Sequence, residues 1–270
     1  MLDLKMKADS IRIDLLKMIY HANTGHTGGA LSCVDILTSL YYGVMQVDPE
    51  KPNWPYRDRF ILSKGHSVEG LLCILADKGF FSKMELETFS KFKSRLIGHP
   101  SNKVPGIEMC TGALGHGLSI GTGMAYGAKK IKAGFRTFVL MGDGEQAEGS
   151  VYEAAMAAAY YKLDNLIAFI DRNTLQISGN TEQVMALENL DAKWKAFGWE
   201  TIHIDGHNHQ EIIDACNKPA VGKPRMIIAK TIKGKGVSFI ENKVEWHHHV
   251  LNKEELETAI SELGGTAYNE

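Results

Sequence analysis

Two polar segments stand 30 positions apart, each directly after an apolar run, and each carries an oxygen-bearing side chain. They are Met141-Gly-Asp-Gly-Glu-Gln-Ala-Glu-Gly149 and Ile170-Asp-Arg-Asn173. Carboxylate and amide oxygens suit Mg²⁺, a hard ion that completes its octahedron with phosphate oxygens and water. Glycines allow close backbone approach to a ligand, and a following helix N-terminus favours an anion such as a diphosphate. We therefore expect Asp143 and Asn173 to bind a metal beside a diphosphate, although Gly-Asp-Gly alone is also a common turn.

The apolar pattern predicts the elements that position these side chains. Short apolar runs without alternation are typical of strands in a parallel sheet that is covered on both faces, and helical spacing between them favours right-handed crossover units. Ligands bind at the carboxyl ends of such strands. The sequence thus predicts an α/β fold, with strands near residues 59–62, 137–141, 166–171, 199–204 and 226–230. Helices are expected within residues 1–20 and near 34–42, 67–78, 118–133, 150–161 and 210–216, and a capping box at Ser82 and Glu85 predicts another.

Composition limits the class of protein. The 270 residues are 44% apolar and 23% charged, with 30 basic against 32 acidic side chains. This balance gives no cationic field for nucleic acid. The sequence contains no run of about 18 consecutive apolar residues, so no membrane-spanning helix is expected. No signal peptide is apparent either, and we therefore expect a cytoplasmic location. Cysteines 33, 73, 110 and 216 lack paired spacing and are interpreted as reduced core thiols.

The metal signature and several further blocks together resemble transketolase, a family of thiamine-diphosphate enzymes. The resemblance covers almost the whole chain. Its blocks are Thr24-Gly-His-Thr-Gly-Gly29, Leu62-Ser-Lys-Gly-His66, Gly98-His-Pro100, Thr111-Gly-Ala-Leu-Gly-His-Gly117, the two segments above, and Lys230-Thr-Ile-Lys-Gly-Lys-Gly236 with Trp246-His247. It implies the thiamine-diphosphate-binding fold, a mostly parallel sheet with helices on both faces, over residues 1–270 as one domain.

The resemblance also implies roles for individual residues. The metal, Mg²⁺ or alternatively Ca²⁺ or Mn²⁺, would be bound by Asp143, Asn173 and the carbonyl of Leu175. Thiamine diphosphate would be contacted by His66, Gly112, Ala113, Leu114, Gly144, Glu148, Asn173 and His247. The sugar donor would be contacted by His26, His99 and His247, which act in catalysis because imidazole can both donate and accept protons near neutral pH.

Some positions depart from the family pattern or permit a structural interpretation. Ala113 replaces a proline of the cofactor turn, His116 replaces a frequent glutamine, and Thr27 replaces a proline beside His26. Glu148 matches a glutamate that links the two cofactor sites of the family dimer, but a carboxylate in the first turn of a helix is also favoured by the helix dipole. The run of histidines 247–249 is not expected to bind zinc, because three consecutive side chains do not easily face one ion.

The resemblance implies that a second half of the active site lies on another chain. In transketolases a second domain holds the aminopyrimidine and supplies a catalytic glutamate, and residues 251–270 contain no such block. We therefore expect the N-terminal subunit of a two-chain transketolase, which transfers a two-carbon ketol unit from a ketose to an aldose, as in the pentose phosphate pathway. Its expected partner is the C-terminal subunit with the pyrimidine-binding domain, in a two-plus-two heterotetramer. The alternatives are the alpha chain of a 2-oxo acid dehydrogenase and a non-catalytic scaffold with the same fold.

Overall fold

The computed structural model describes residues 2–265, and its centre is a sheet of five parallel strands. Met1 and residues 266–270, which include the end of the predicted tail, lie outside the described residues. In chain order the strands are Arg59–Leu62 (β1), Thr137–Gly142 (β2), Leu166–Arg172 (β3), Leu175–Gln176 (β4), Gly179–Asn180 (β5), Glu200–Asp205 (β6) and Arg225–Lys230 (β7). The sheet has the order β1-β2-β3-β7-β6, while β4 and β5 form a small antiparallel pair. The predicted parallel α/β architecture is confirmed.

Helices cover both faces of this sheet. They are Leu4–Ala22 (α1), Thr27–Ser32 (α2), Val34–Ser39 (α3), Val68–Lys78 (α4), His116–Ile131 (α5), Gly149–Tyr160 (α6), Thr181–Val184 (α7), Leu190–Ala196 (α8), His209–Asn217 (α9) and Lys253–Glu262 (α10). Short 3₁₀ helices span Gly65–Ser67, Lys83–Thr88, Gly144–Ala147 and Val244–His247, and a π-helical turn spans Leu40–Val44. Among the described residues, no helix is long and apolar enough to cross a membrane.

The apolar strands form two hydrophobic layers because neighbouring side chains of a strand point to opposite faces of the sheet. Phe138 and Leu140 of β2 belong to the layer beneath α1, α3, α4 and α9. Val139 and Met141 belong to the layer beneath α5, α6 and α8. Burial on both sides explains why these strands lack the alternation of polar and apolar residues that a half-exposed strand shows.

Local contacts change several of the sequence expectations. Ser82 accepts a hydrogen bond from Met84 N, but the Glu85 carboxylate binds Arg95 instead of completing the capping box. The result is the short 3₁₀ helix rather than an α-helix. Between the expected helices within residues 1–20 and near 34–42, Thr27 begins the buried helix α2, which the sequence analysis did not predict. Cys110 is exposed, so the interpretation of all four cysteines as core thiols is wrong at this position.

The strand register brings the ends of the strands together. Gly142 of β2 pairs with Asp171 of β3, and Arg172 of β3 pairs with Lys230 of β7. The strands run parallel, so the polar segments that follow β1, β2, β3 and β7 leave the sheet at one edge. This edge is where the sequence predicted the ligand site.

Candidate functional site

A cavity of about 340 Å³ lies at this edge of the sheet. Nine of the predicted site residues line it, namely His26, His66, Gly112, Leu114, Asp143, Gly144, Asn173, Leu175 and His247. Three others, His99, Ala113 and Glu148, are not among its lining residues. The predicted residues thus lie together at one cavity, but half of its polar side chains were not predicted, namely Lys64, Glu145, Gln176, Ser178 and Lys233.

Asp143 and Asn173 follow neighbouring strands, as the sequence predicted. Asp143 Oδ2 accepts hydrogen bonds from Thr174 N at 2.6 Å and from Arg172 Nη1 at 3.2 Å. Asn173 Oδ1 accepts one from Leu175 N at 3.1 Å. Burial raises the pKa of Asp143, and the charge of Asp171 raises it further. A cation beside this carboxylate would offset both effects, since an opposite charge favours the ionised form.

Gly144 has no side chain, and Gln176 packs against its backbone. A Cβ atom at this position would lie 2.8 Å from Gln176 Oε1, closer than van der Waals contact allows. Gly142 and Gly144 both line the cavity, so backbone rather than side-chain atoms form this part of the wall. Such a wall permits the close approach of a ligand that the Gly-Asp-Gly pattern predicted.

Four histidines from four separate segments lie close together, and three of them line the cavity. The ring of His26 lies 5.4 Å from that of His66, 5.7 Å from that of His247 and 6.2 Å from that of His99, measured between centroids. The rings of His66 and His247 stack at 5.5 Å. The structure thus brings His99 beside the other predicted histidines, although His99 itself is outside the cavity lining.

Burial and positive neighbours keep two of these rings neutral. Burial, assisted by the charge of Lys64, lowers the pKa of His66 to about 2. Burial, assisted by Lys233, lowers the pKa of His247 to about 3. The pKa of His99 is also lowered, mainly by burial and then by His26. Neutral imidazole rings retain both a donor and an acceptor nitrogen for a bound ligand.

Lys233 lines the same cavity, and the sequence analysis assigned it no role. Its side chain is 1% exposed, and its Nζ lies 2.8 Å from His247 Nδ1. Within residues 2–265 it makes no ion pair with a carboxylate, and burial together with Lys64 lowers its pKa to about 8. A buried cation without a counter-ion is stabilised by an anionic ligand. The sequence did contain a clue to Lys233, because this lysine belongs to one of the family-like blocks, residues 230–236, which follows the apolar run of β7.

Lys64 is the second lysine that the sequence analysis left without a role. It forms a buried ion pair with Asp171 and donates to Gly29 O at 3.0 Å. Asp171 also accepts hydrogen bonds from Ser32 Oγ at 2.5 Å and from the Thr231 hydroxyl. This aspartate, at the end of the central strand β3, therefore joins α2, the segment after β1 and the segment after β7.

Glu145 was also missed, and it connects the two glycine-rich segments. Its carboxylate accepts from Gly115 N at 2.8 Å, from Gly142 N at 3.0 Å and from the Ser63 hydroxyl. Burial raises its pKa despite these bonds. These contacts hold the turn of residues 112–115 beside the end of β2.

The donor set of the cavity fits an anionic diphosphate together with a divalent cation. Asp143 and Asn173 supply hard oxygen atoms, and a bound ligand would complete the coordination shell of such an ion. Lys233 supplies a buried positive charge that forms no ion pair among the described residues, and Gly142 and Gly144 supply backbone to the wall. The neutral rings of His66 and His247 add hydrogen-bonding nitrogens to the wall.

Comparison with known proteins supports the same interpretation. Residues 4–270 match the family model "Transketolase, thiamine diphosphate binding domain". The chain is 51% identical over 266 residues to one subunit of the apulose-4-phosphate transketolase of Phocaeicola vulgatus, covering 96% of this chain and 93% of that subunit. It is 43% identical over 265 residues to the 6-deoxy-6-sulfo-D-fructose transketolase subunit SqwG of Clostridium sp., covering 97% and 96%.

A solved structure agrees with these sequence matches. The transketolase from Leishmania mexicana superposes with a TM-score of 0.93 at 27% identity, over 98% of this chain and 42% of that one. The chain thus spans about two fifths of the length of the solved transketolase. Membership of this family decides against the alpha chain of a 2-oxo acid dehydrogenase. The chain belongs to the transketolase family, and it matches individual subunits of multi-chain transketolases over nearly its whole length.

Proposed function

We propose that this chain is the diphosphate- and metal-binding subunit of a two-chain transketolase, which moves a two-carbon ketol unit from a ketose to an aldose. The observation that carries the proposal is the cavity at the carboxyl ends of β2 and β3. It combines Asp143 and Asn173, a cluster of histidines and a buried lysine that forms no ion pair within residues 2–265, in a chain that matches individual transketolase subunits over nearly their full length.

The positions of the side chains around the cavity support the proposed cofactor roles. Asp143, Asn173 and the carbonyl oxygen of Leu175 bind Mg²⁺, with Ca²⁺ or Mn²⁺ as substitutes. The residues that would contact the diphosphate are Gly144, Asn173, His66, His247 and, in addition to the sequence-based set, Lys233. The turn formed by Gly112, Ala113 and Leu114 approaches the rest of the cofactor, and Glu145 holds that turn in place. Bound thiamine diphosphate supplies the chemistry that carries the two-carbon unit.

The histidines act on the sugar. His26, His99 and His247 contact the hydroxyl and carbonyl oxygens of the donor. Neutral imidazole can take a proton from a hydroxyl group and return it to another oxygen, which is the proton transfer that ketol exchange requires. His247 is fixed by Lys233 at 2.8 Å, while His99 lies beside His26 and outside the cavity lining.

A partner chain completes the active site in this proposal. The partner carries the pyrimidine-binding domain, and the assembly is a two-plus-two heterotetramer. Exposed apolar side chains on and near the cavity rim support an interface there, because Ile177, Val184 and Met185 are 70%, 43% and 59% exposed. Glu148 is exposed next to the cofactor turn, which suits contact with a second copy of the site.

For the sugar, we propose a branched or otherwise modified substrate with an anionic end group. Two similar subunits belong to transketolases named for apulose-4-phosphate, and a third belongs to one named for 6-deoxy-6-sulfo-D-fructose. The higher identity to the first of these, 51%, favours apulose-4-phosphate over the sulfonated sugar. A panel of ketose phosphates and sulfosugars, assayed with both chains assembled, tests this preference.

Calorimetry on the assembled chains tests the cofactor site. Asp143→Ala should abolish Mg²⁺-dependent binding of thiamine diphosphate, because it removes one of two metal-binding side chains. Asp164→Ala is the matched control, since Asp164 precedes β3 at the opposite edge of the sheet and should leave affinity unchanged. Unchanged affinity in Asp143→Ala refutes the site. Normal cofactor binding without turnover on any sugar of the panel favours the scaffold interpretation.

A further inference from the structure

Glu69 is a buried carboxylate to which the proposed function assigns no role. It lies in the first turn of α4, and its side chain is fully shielded from solvent. Oε1 accepts a hydrogen bond from His26 N at 2.8 Å, whereas Oε2 has no hydrogen-bond partner among the described residues. A buried carboxylate needs compensation to remain ionised. The helix N-terminus and the amide of His26 supply only part of it.

The imidazole of His26 is the remaining group in reach. Its Nδ1 atom is buried, has no hydrogen-bond partner in the described part of the chain, and lies 3.8 Å from Glu69 Oε1. This distance is within ion-pair range, and closing it by about 1 Å would form a hydrogen bond. Two buried polar groups with unmet hydrogen-bonding capacity therefore face each other across this gap.

The absence of a side chain at Gly25 lets the Glu69 carboxylate lie close to the backbone next to His26. A Cβ atom on Gly25 would lie 2.7 Å from an Ile19 side-chain carbon and 3.1 Å from Glu69 Oε1. Glycine at position 25 therefore allows the chain to pass directly over the carboxylate. Any larger residue would separate Glu69 from the amide and the ring of His26.

The other charged and titratable groups around this pair do not replace Glu69. Four further histidine rings surround His26, namely His66, His99, His247 and His248. The charges of Lys64 and Lys233 act on the His247 ring. Thiols of Cys33 and Cys73 lie near Glu69 on the core side. Glu69 is thus the carboxylate that contacts His26 in a neighbourhood of imidazoles and lysines.

We propose that Glu69 is a positioning residue for His26: it accepts Nδ1–H, so that Nε2 faces the cavity as the proton acceptor. This inference rests on the proposed function, since it deepens the role of His26 toward the sugar. In the step itself, a substrate O–H bond breaks and a Nε2–H bond forms, while the electron pair stays on the substrate oxygen. The carboxylate keeps its negative charge and stabilises the imidazolium. The proton returns to a substrate oxygen in the second half of the reaction.

The tautomer of His26 tests the proposal without any turnover. Two-dimensional ¹⁵N NMR on the full chain labelled at histidine, with His26 assigned by its loss in His26→Gln, reports which ring nitrogen carries the proton. We expect Nδ1–H in the unmodified chain. An Nε2–H tautomer there overturns the proposal, and this measurement needs no variant of Glu69.

The variant Glu69→Gln then removes the charge while keeping an acceptor for the His26 amide. We expect His26 to lose its preference for Nδ1–H. In the assembled enzyme, kcat should fall about tenfold to a hundredfold, in the range of a lost acid–base group, while KM changes less than about threefold. Glu257→Gln, an exposed carboxylate of α10, is the control with the same change in net charge. Glu69→Asp, which retains the charge, should recover part of the loss in kcat.

The outcomes separate this inference from the proposed function. Absence of ketol transfer by the unmodified assembly refutes the proposed function, and the tautomer measurement still decides the role of Glu69. Normal transfer with an unchanged kcat in folded Glu69→Gln refutes the inference alone. A fall in thermal stability with unchanged kcat shows that Glu69 has only a structural role, and this also refutes the inference.

Discussion

The substitution Lys233→Met should stabilise the cofactor-free chain while weakening its affinity for thiamine diphosphate. Burial, with the charge of Lys64, lowers the pKa of Lys233 from 10.5 to about 8. At about 1.4 kcal/mol for each pH unit, this cation destabilises the folded chain by about 3 kcal/mol near pH 7. Methionine removes the charge at similar length, but it also removes the contact with His247, worth about 1 kcal/mol. A net gain of about 2 kcal/mol, or roughly 4–8 °C in Tm, is expected.

The gain should depend on pH with a defined sign. Below pH 8 the folded and unfolded chains both hold the proton, so the destabilisation is complete. Between pH 8 and about 10.4 the folded chain releases the proton while the unfolded chain keeps it, and stability of the unmodified chain rises. The advantage of Lys233→Met should therefore shrink as the pH is raised from about 7 to about 10.

Thermal unfolding by calorimetry measures the gain in stability, and titration with thiamine diphosphate measures the loss of affinity. Lys235→Met is the matched control, because Lys235 is partly exposed and pairs with Glu241. It should show neither effect. In Lys233→Met the affinity for thiamine diphosphate should fall about tenfold or more, as expected for loss of a hydrogen bond to a charged group. A lower Tm, or a gain that persists unchanged to about pH 10, would refute the reasoning.

Three further outcomes follow from the geometry. Gly65→Ala should lower the free energy of unfolding by about 1–3 kcal/mol in denaturant unfolding, because the new Cβ atom would lie 2.8 Å from Gly112 N and displace the turn of residues 112–115. Gly149→Ala is the control, since a Cβ atom there has open space and φ is not positive. The difference between the two variants gives the steric part of the loss. Burial lowers the pKa values of His66 and His247, so these rings take up protons near pH 6.5 in the unfolded chain but not in the folded chain. The Tm should therefore fall as the pH is lowered from about 7 to about 5. An NMR titration in which either ring of the folded chain gains a proton within that range would contradict this. A thiol reagent should modify Cys110 alone in the folded chain and all four cysteines after unfolding, and mass spectrometry counts the labels.

Sequence reasoning predicted the features that depend on local pattern. The apolar runs of β2 and β3 located the strands, and strand direction then required Asp143 and Asn173 to emerge side by side. The family-like blocks added the histidines, and the structure brings these together.

The features that sequence reasoning missed depend on contacts between distant segments. Glu145 has the appearance of an ordinary carboxylate at the start of a helix, yet it binds Gly115 N, which is 30 residues away. Lys233 stands out only when its burial without an ion-pair partner can be seen within the described residues. The capping box failed at Ser82 because Arg95, in the loop that follows the 3₁₀ helix, takes the Glu85 carboxylate. Local spacing cannot identify such competitors.

The position of Asp171 has a consequence for how the chain folds. Its partners Ser32, Lys64 and Thr231 are separated from it by 139, 107 and 60 positions. Contacts of such large sequence separation form only after their loops have closed, so this part of the cavity wall assembles late in folding. Retention on immobilised thiamine diphosphate would therefore select chains that have completed the sheet. In a refolding experiment, recovery of binding should lag behind recovery of helical content.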